Sequence, residues 1–222
     1  MTTTLKPIET VLFDLDGTLI DSIRLILDSY HHTLAAHGKP AQSDAELLIH
    51  VGTPLARHLA HYSSVEEEIR AMVDTYRGWN LAHHDGAIRP FEGAIDAVRA
   101  LVARGRRLGV VTSKLSSSAR RGLVIAGYCA PASGDAPFEV LVGSDDVAVH
   151  KPDPAPLLAA LQALGVSAER AAYVGDSPYD LMAAQAAGMR AVAAGWGPFA
   201  PELLAEVGYD TWLEHPAQLA QL

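Results

Sequence analysis

A single cysteine, Cys129, occurs in the whole chain. An internal disulfide is therefore excluded, a reducing cytoplasmic setting is expected, and Cys129 reads as a small apolar filler. Positive charge is scarce too: 17 lysines and arginines stand against 26 acids, a net charge of −9. With no basic stripe to offset that balance, a protein that tracks a nucleic-acid backbone is excluded. No apolar run is long enough to span a bilayer, and Met1–Pro7 carry one lysine and no apolar h-region. Neither a membrane span nor a signal peptide is expected. Low-complexity tracts and internal repeats are absent as well. What is present is a globular composition, 49% hydrophobic over 222 residues, enough for one large domain or two of unequal size with a full core. An acidic protein that handles an anionic substrate needs a divalent cation to do so.

The most informative stretch is Thr10-Val11-Leu12-Phe13-Asp14-Leu15-Asp16-Gly17-Thr18. An apolar, strand-forming run ends abruptly in two carboxylates, a glycine and a hydroxyl. Period-2 alternation puts Asp14 and Asp16 on one face, a step apart. Like charges that close repel, so one is neutralised by a cation or keeps its proton. A cation-held carboxylate is a positioned nucleophile, and a protonated neighbour is a general acid. Asp-Gly also suits a plain polar turn at a strand end.

Beyond Thr18 the period changes. Asp21 or Ser22 can cap a helix running to about Gly38, with Ile23, Leu27, Tyr30 and Leu34 at helical spacing. Ser43-Asp44-Ala45-Glu46 and Ser64-Val65-Glu66-Glu67 read as capping boxes that open two further helices, with Gly52-Thr53-Pro54-Leu55 as a breaker between them. Residues 20–87 therefore read as an all-helical insertion. From there strands and helices alternate: helix 92–104, strand 108–112, a helix from Ser116 to about Ala126, and strand 138–142. Next come a helix capped by Asp153 and Pro154, strand 171–174, helix 178–187, strand 191–193, and a closing short strand and helix. Such alternation predicts an α/β fold, a parallel sheet with helices on both faces. The core is expected over residues 1–19 and 88–222.

Ligands of open parallel sheets sit outside the carboxyl ends of the strands. Those ends carry Asp14 and Asp16, Thr112 and Ser113, and Asp176 with Asp180 beyond, and Lys151 lies between them in sequence. Carboxylates suit Mg²⁺ and a lysine suits a phosphate. Each also has a plainer use. Asp180 can be the acid of a capping box with Ser177, Thr112 and Ser113 can be turn hydroxyls, and Lys151 can be a solvated loop lysine. His31-His32 and His83-His84 read as exposed helix or linker, with no Cys or Glu partner at ligand spacing.

Four segments in order make the chain similar to a known family. Asp14-Leu15-Asp16-Gly17-Thr18, Thr112 at a strand end, Lys151 in His150-Lys151-Pro152-Asp153-Pro154, and Gly175-Asp176-Ser177-Pro178-Tyr179-Asp180 resemble the four motifs of the haloacid dehalogenase-like hydrolases. The likeness is to their phosphatases with a helical cap after the first strand, and it covers essentially the whole length. It implies a Rossmann-like core and a cap over residues 20–87. It implies that Asp14 attacks phosphorus, forming an aspartyl-phosphate, and that Asp16 protonates the leaving oxygen and then activates water. Thr112 and Lys151 would hold the phosphoryl oxygens, with Gly17, Thr18 and Ser113 on the substrate side. Mg²⁺ would be held by Asp14, the main-chain carbonyl of Asp16 and Asp176, with Asp180 beside it.

Gly52, Thr53 and Pro54 stand where capped relatives place a substrate-specificity loop. The expected substrate is a small phosphorylated metabolite, with phosphoglycolate first. Inorganic pyrophosphate is the alternative, since Thr75-Tyr76-Arg77, the run from Arg89 to Gly93 and Val111-Thr112-Ser113-Lys114 resemble the bacterial pyrophosphatases of this group. Ser113 stands where many phosphoglycolate phosphatases carry Asn. A sugar phosphomutase and a catalytically silent binding protein complete the alternatives. A monomer or homodimer without nucleic-acid or membrane partners is expected.

Overall fold

The computed structural model describes residues 6–129 and 137–222. Residues 1–5, part of the segment read for a signal peptide, lie outside them. In chain order the elements are β1 (Thr10–Phe13), β2 (Ile20–Asp21), α1 (Ile23–Ala36), α2 (Asp44–Leu48), α3 (Leu55–Leu59), α4 (Glu66–Ala87), β3 (Arg89–Pro90), α5 (Ala94–Ala103) and β4 (Arg107–Val111). They continue with α6 (Ser116–Ile125), β5 (Val140–Val142), α7 (Ala155–Leu164), β6 (Ala171–Gly175), α8 (Pro178–Ala187), β7 (Arg190–Ala194), α9 (Pro201–Val207) and β8 (Thr211–Leu213), and close on a 3₁₀ turn, Pro216–Gln221.

Among the described residues six strands form one parallel sheet in the order β5-β4-β1-β6-β7-β8. Its apolar runs are buried on both faces, as a helix-covered parallel sheet requires. Val11 and Phe13 of β1 join Ala172 and Val174 of β6 in one core cluster, and Leu12 joins Ala171 and Tyr173 in the other. Because β1 pairs with β4 on one side and β6 on the other, the chain order reverses beside it, and a crevice opens at its carboxyl end. The α1–α4 helices carry a cluster of their own, including Leu27, Tyr30, Leu34, Leu47, Leu59 and Met72. No helix among the described residues is long and apolar enough to cross a membrane.

Local differences from the sequence reading have identifiable causes. Ser22 stands at the N-cap of α1, but its hydroxyl makes no capping bond and donates to Asp16 Oδ1 at 2.6 Å. A bond to a carboxylate is the stronger use of that proton. The Ser43 box forms, whereas the Ser64 box does not. α4 begins at Glu66 behind Val65, Ser63 takes the Val65 N–H at 3.0 Å, and Glu66, Glu67 and Glu68 meet the positive end of the helix. Residues 20–87 are not wholly helical, since β2 pairs antiparallel with β3 at the base of the insertion. The strand expected from Phe138 starts at Val140, and Phe138 packs edge-on against Phe13 instead.

Candidate active site

Asp14 follows β1 directly. Its N–H bonds the carbonyl of Val174 at 2.8 Å, extending the ladder by one residue and fixing the side chain where the central strands end. Lys151 Nζ, 2% exposed, lies 2.9 Å from Asp14 Oδ1, 2.6 Å from Asp180 Oδ1 and 3.0 Å from the Tyr173 hydroxyl. That uses all three ammonium protons. Tyr173 in turn donates to the carbonyl of Val111 at 2.8 Å, tying the lysine to the sheet. Burial works against the ammonium, but the charges of Asp14 and Asp180 outweigh it and hold Lys151 well above the usual lysine range. Asp180 is the acid of a capping box at the start of α8, with Oδ2 accepting from Ser177 N at 3.0 Å and Ser177 Oγ at 2.5 Å. Asp180 therefore caps a helix and also reaches the charged cluster.

Asp176 lies at the end of β6. Thr18 Oγ1, fully buried, donates to its Oδ1 at 2.7 Å. Gly17 has φ +88°, and a Cβ there would lie 2.5 Å from Asp176 Oδ2, so this turn admits only glycine. Gly17 and Thr18 thus shape the pocket of Asp176, and neither is among the residues that line the cavity described below. Carboxylate oxygens of Asp14, Asp176 and Asp180 lie within 4.8 Å of one another. One lysine among three carboxylates leaves negative charge uncompensated. Burial first, then the charges of its neighbours, raises Asp14 to about 7 and Asp176 well above the carboxylate range. A cluster of hard oxygen donors with excess negative charge fits a divalent cation. Asp14 and Asp176 each have only one oxygen engaged by a side-chain donor, whereas both oxygens of Asp180 accept, so Asp14 and Asp176 are the more open of the three to it.

Asp16 is treated differently. Lys114 Nζ lies 2.8 Å from its Oδ1, which Ser22 also reaches. Burial pushes Asp16 up, but the Lys114 charge and the two hydrogen bonds more than offset it and hold the carboxyl below its ordinary value. The repulsion expected between Asp14 and Asp16 is thus relieved by two lysines, one beside each acid.

A cavity of about 480 Å³ opens between the sheet edge and the insertion. Asp14, Asp16, Thr112, Ser113 and Asp176 line it from the core, and Gly52, Thr53 and Pro54 line it from the insertion. Ser113 Oγ donates to the carbonyl of Gly52 at 2.6 Å, so this hydroxyl docks the insertion loop. Sequence reasoning missed Lys114, Tyr173 and His84. Lys114 could have been noticed as a charge two residues past a reactive strand end, and Tyr173 as a hydroxyl inside an apolar strand. His84 corrects the exposed reading of the His83-His84 pair: it is 2% exposed and lines the cavity, while His83 stacks on Trp79 at the surface. Its Nδ1 meets Asp85 at 3.0 Å, Arg121 clamps Asp85 with two bonds, and its Nε2 is buried without a partner.

A parallel α/β sheet whose central strand presents a buried, lysine-held aspartate beneath a helical insertion defines a class of hydrolase. The model of the haloacid dehalogenase-like hydrolase family matches residues 11–194, and the chain belongs to that family as a phosphatase. Among its relatives, pyrophosphatase PpaX of Halalkalibacterium halodurans is 38% identical over 191 residues, 85% of this chain and 84% of that one. Pyrophosphatase PpaX of Bacillus pumilus is 35% identical over 214 residues, 96% and 94% of the two chains. A solved structure described as a predicted phosphoglycolate phosphatase from Haemophilus somnus is similar with a TM-score of 0.84 at 23% identity, covering 98% of this chain and 99% of that one. At that identity the likeness is one of fold.

Proposed function

We propose that the protein is a Mg²⁺-dependent phosphatase acting on a small phosphorylated metabolite through an aspartyl-phosphate on Asp14, with inorganic pyrophosphate as its first substrate. The observation that carries the chemistry is the buried Asp14 carboxylate, pinned by Lys151 beside Asp176 on the wall of the cavity. In this reading an Asp14 oxygen bonds phosphorus as the bridging P–O bond breaks, and water then cleaves the acyl phosphate. Lys151 and Thr112 hold the phosphoryl oxygens, since phosphoryl transfer asks chiefly for positioning and charge stabilisation. Asp16 serves the leaving oxygen and then the water. Asp14, Asp176 and the main-chain carbonyl of Asp16 would hold Mg²⁺, which supplies charge neutralisation at the carboxylates and the phosphoryl oxygens. Residues 20–87 act as a cap that excludes water, over a core of residues 1–19 and 88–222. The lone Cys129 agrees with a cytoplasmic setting.

Pyrophosphate comes before phosphoglycolate for two reasons. Relatives named pyrophosphatase are 38% and 35% identical to this chain over 85% and 96% of its length. Asp16 is also held ionised by Lys114 and Ser22, and a phosphate leaving group needs a proton far less than an alkoxide does. The test is phosphate release by purified protein from pyrophosphate, phosphoglycolate and a hexose phosphate, with Mg²⁺ and with EDTA. Mg²⁺-dependent turnover fastest on pyrophosphate is expected. Preference for phosphoglycolate would restore the second reading, and transfer back to a hexose phosphate would indicate a mutase. Turnover unaffected by EDTA would reject the cation.

A further inference from the structure

The cavity holds three long cationic side chains among its described lining residues, Arg77, Lys114 and Arg121, and they are not equally free. Arg121 is committed to Asp85 through two hydrogen bonds at 2.8 and 2.7 Å. Arg77 stands at the exposed rim. Behind them Lys151 is immobilised by three partners. Lys114 alone combines depth with freedom: its side chain is 14% exposed, and its ammonium has one side-chain partner, Asp16 Oδ1. That oxygen has a second donor in Ser22 at 2.6 Å, so it is not left without a hydrogen bond if Lys114 withdraws. An ammonium on a flexible four-carbon stem can exchange one anionic oxygen for another nearby.

We propose that Lys114 selects the leaving group: its ammonium shifts from Asp16 towards a leaving group that carries a negative charge of its own, and a neutral leaving group fails to attract it. This deepens the functional reading above and rests on it, because it takes Asp16 as the acid beside the departing oxygen. The competition is one of geometry and charge. One ammonium can serve two anions at once, as Lys151 does with Asp14 and Asp180, so the Lys114 ammonium, 2.8 Å from Asp16, shifts towards a second anion and shares its charge between the two. Anionic leaving groups therefore gain a counter-ion. Substrates with uncharged leaving groups gain none. The substrate class that results is a phosphoryl donor whose leaving group is itself an anion, a phosphate above all.

The test compares wild type with Lys114→Met and Lys114→Arg, each with Mg²⁺, on pyrophosphate and on 4-nitrophenyl phosphate, whose leaving group bears no second charge and departs without a proton. In Lys114→Met, kcat/KM for pyrophosphate is expected to fall roughly 100-fold, the scale of one lost charge-assisted hydrogen bond. For 4-nitrophenyl phosphate only the loss that passes through Asp16, common to both substrates, is expected, so pyrophosphate should lose far more than 4-nitrophenyl phosphate, and Lys114→Arg should restore part of that difference. Inhibition of 4-nitrophenyl phosphate hydrolysis supplies a binding readout. Methylenediphosphonate should weaken in Lys114→Met by a similar factor to the pyrophosphate loss, while orthophosphate scarcely changes. Equal losses on both substrates, or unchanged pyrophosphate hydrolysis, overturn the proposal with the phosphatase reading intact. A wild type that hydrolyses neither substrate overturns both. If the Met variant fails to fold, Lys114→Gln carries the same comparison.

Discussion

Asp14 meets two opposed requirements. Burial raises its carboxyl to about 7, while a nucleophile must be ionised. Lys151 pulls in the ionising direction, and a cation shared with Asp176 would complete the task. Asp14→Asn keeps the shape and removes the attacking oxygen, so kcat is expected to fall roughly 10⁴-fold or more. The same change removes one acid from a crowded cluster, so the thermal midpoint should move by only a few degrees. Rate assays beside a melting curve check both, and surviving activity would reject covalent attack. The acids around Asp14 were legible because strand ends can be read from period and composition. Their partners were not. Which donor reaches Asp16 depends on Ser22 and on a lysine 98 residues away, and His84 is buried where α6 packs on α4. No spacing rule encodes such pairings.

Elements show the same division. Long, periodic segments such as α5, α7 and α8 lie where the sequence places them, and the Ser43 and Ser177 boxes form. The two-residue pair β2–β3 is too short to leave a pattern, and α9 falls in a stretch where no element is predicted. Burial within an element is harder still to read. His58 of α3 is fully buried among Tyr30, His50 and Tyr62, neither ring nitrogen has a partner, and burial first, then its neighbouring histidines, pushes it down to about 3.

A histidine depressed in the folded chain makes the unfolded chain the better proton acceptor. The stability tied to His58 is therefore complete above its ordinary value of 6.5. It declines as the pH falls from there towards about 3, by about 1.4 kcal/mol for each pH unit. His58→Phe keeps a ring against Tyr30 and removes the titration. Urea unfolding at a series of pH values between 7.5 and 4.5 (an assay range of order ~3 pH units) should show the variant losing stability with a slope lower by about one proton. Parallel curves for the two proteins would refute this assignment.

At the scale of the whole molecule, function depends on how the insertion meets the sheet edge. Contacts that join them include Ser113 to the carbonyl of Gly52, the Tyr179 hydroxyl to the carbonyl of Ile49 at 3.1 Å, and Arg121 to Asp85. Gly52 is the tightest point. Its φ is +95°, and a Cβ would stand 3.2 Å from Ser177 Oγ and 3.3 Å from the Tyr179 ring. Gly52→Ala therefore carries two penalties, left-handed backbone strain of about 1–2 kcal/mol and crowding against the core beside Asp176. Gly38 separates them, because it shares the left-handed backbone, at φ +61°, with nothing within 4 Å of a Cβ. Both alanine variants should lose stability in urea, Gly52→Ala by the larger amount because it adds crowding to the shared strain. Only Gly52→Ala should lose catalysis, with KM for pyrophosphate raised about 10-fold, the cost of roughly 1.4 kcal/mol against the docked form. If Gly38→Ala lost as much activity, the defect would lie in stability. If Gly52→Ala lost none, the seating of this loop on Ser177 and Tyr179 would be incidental to turnover.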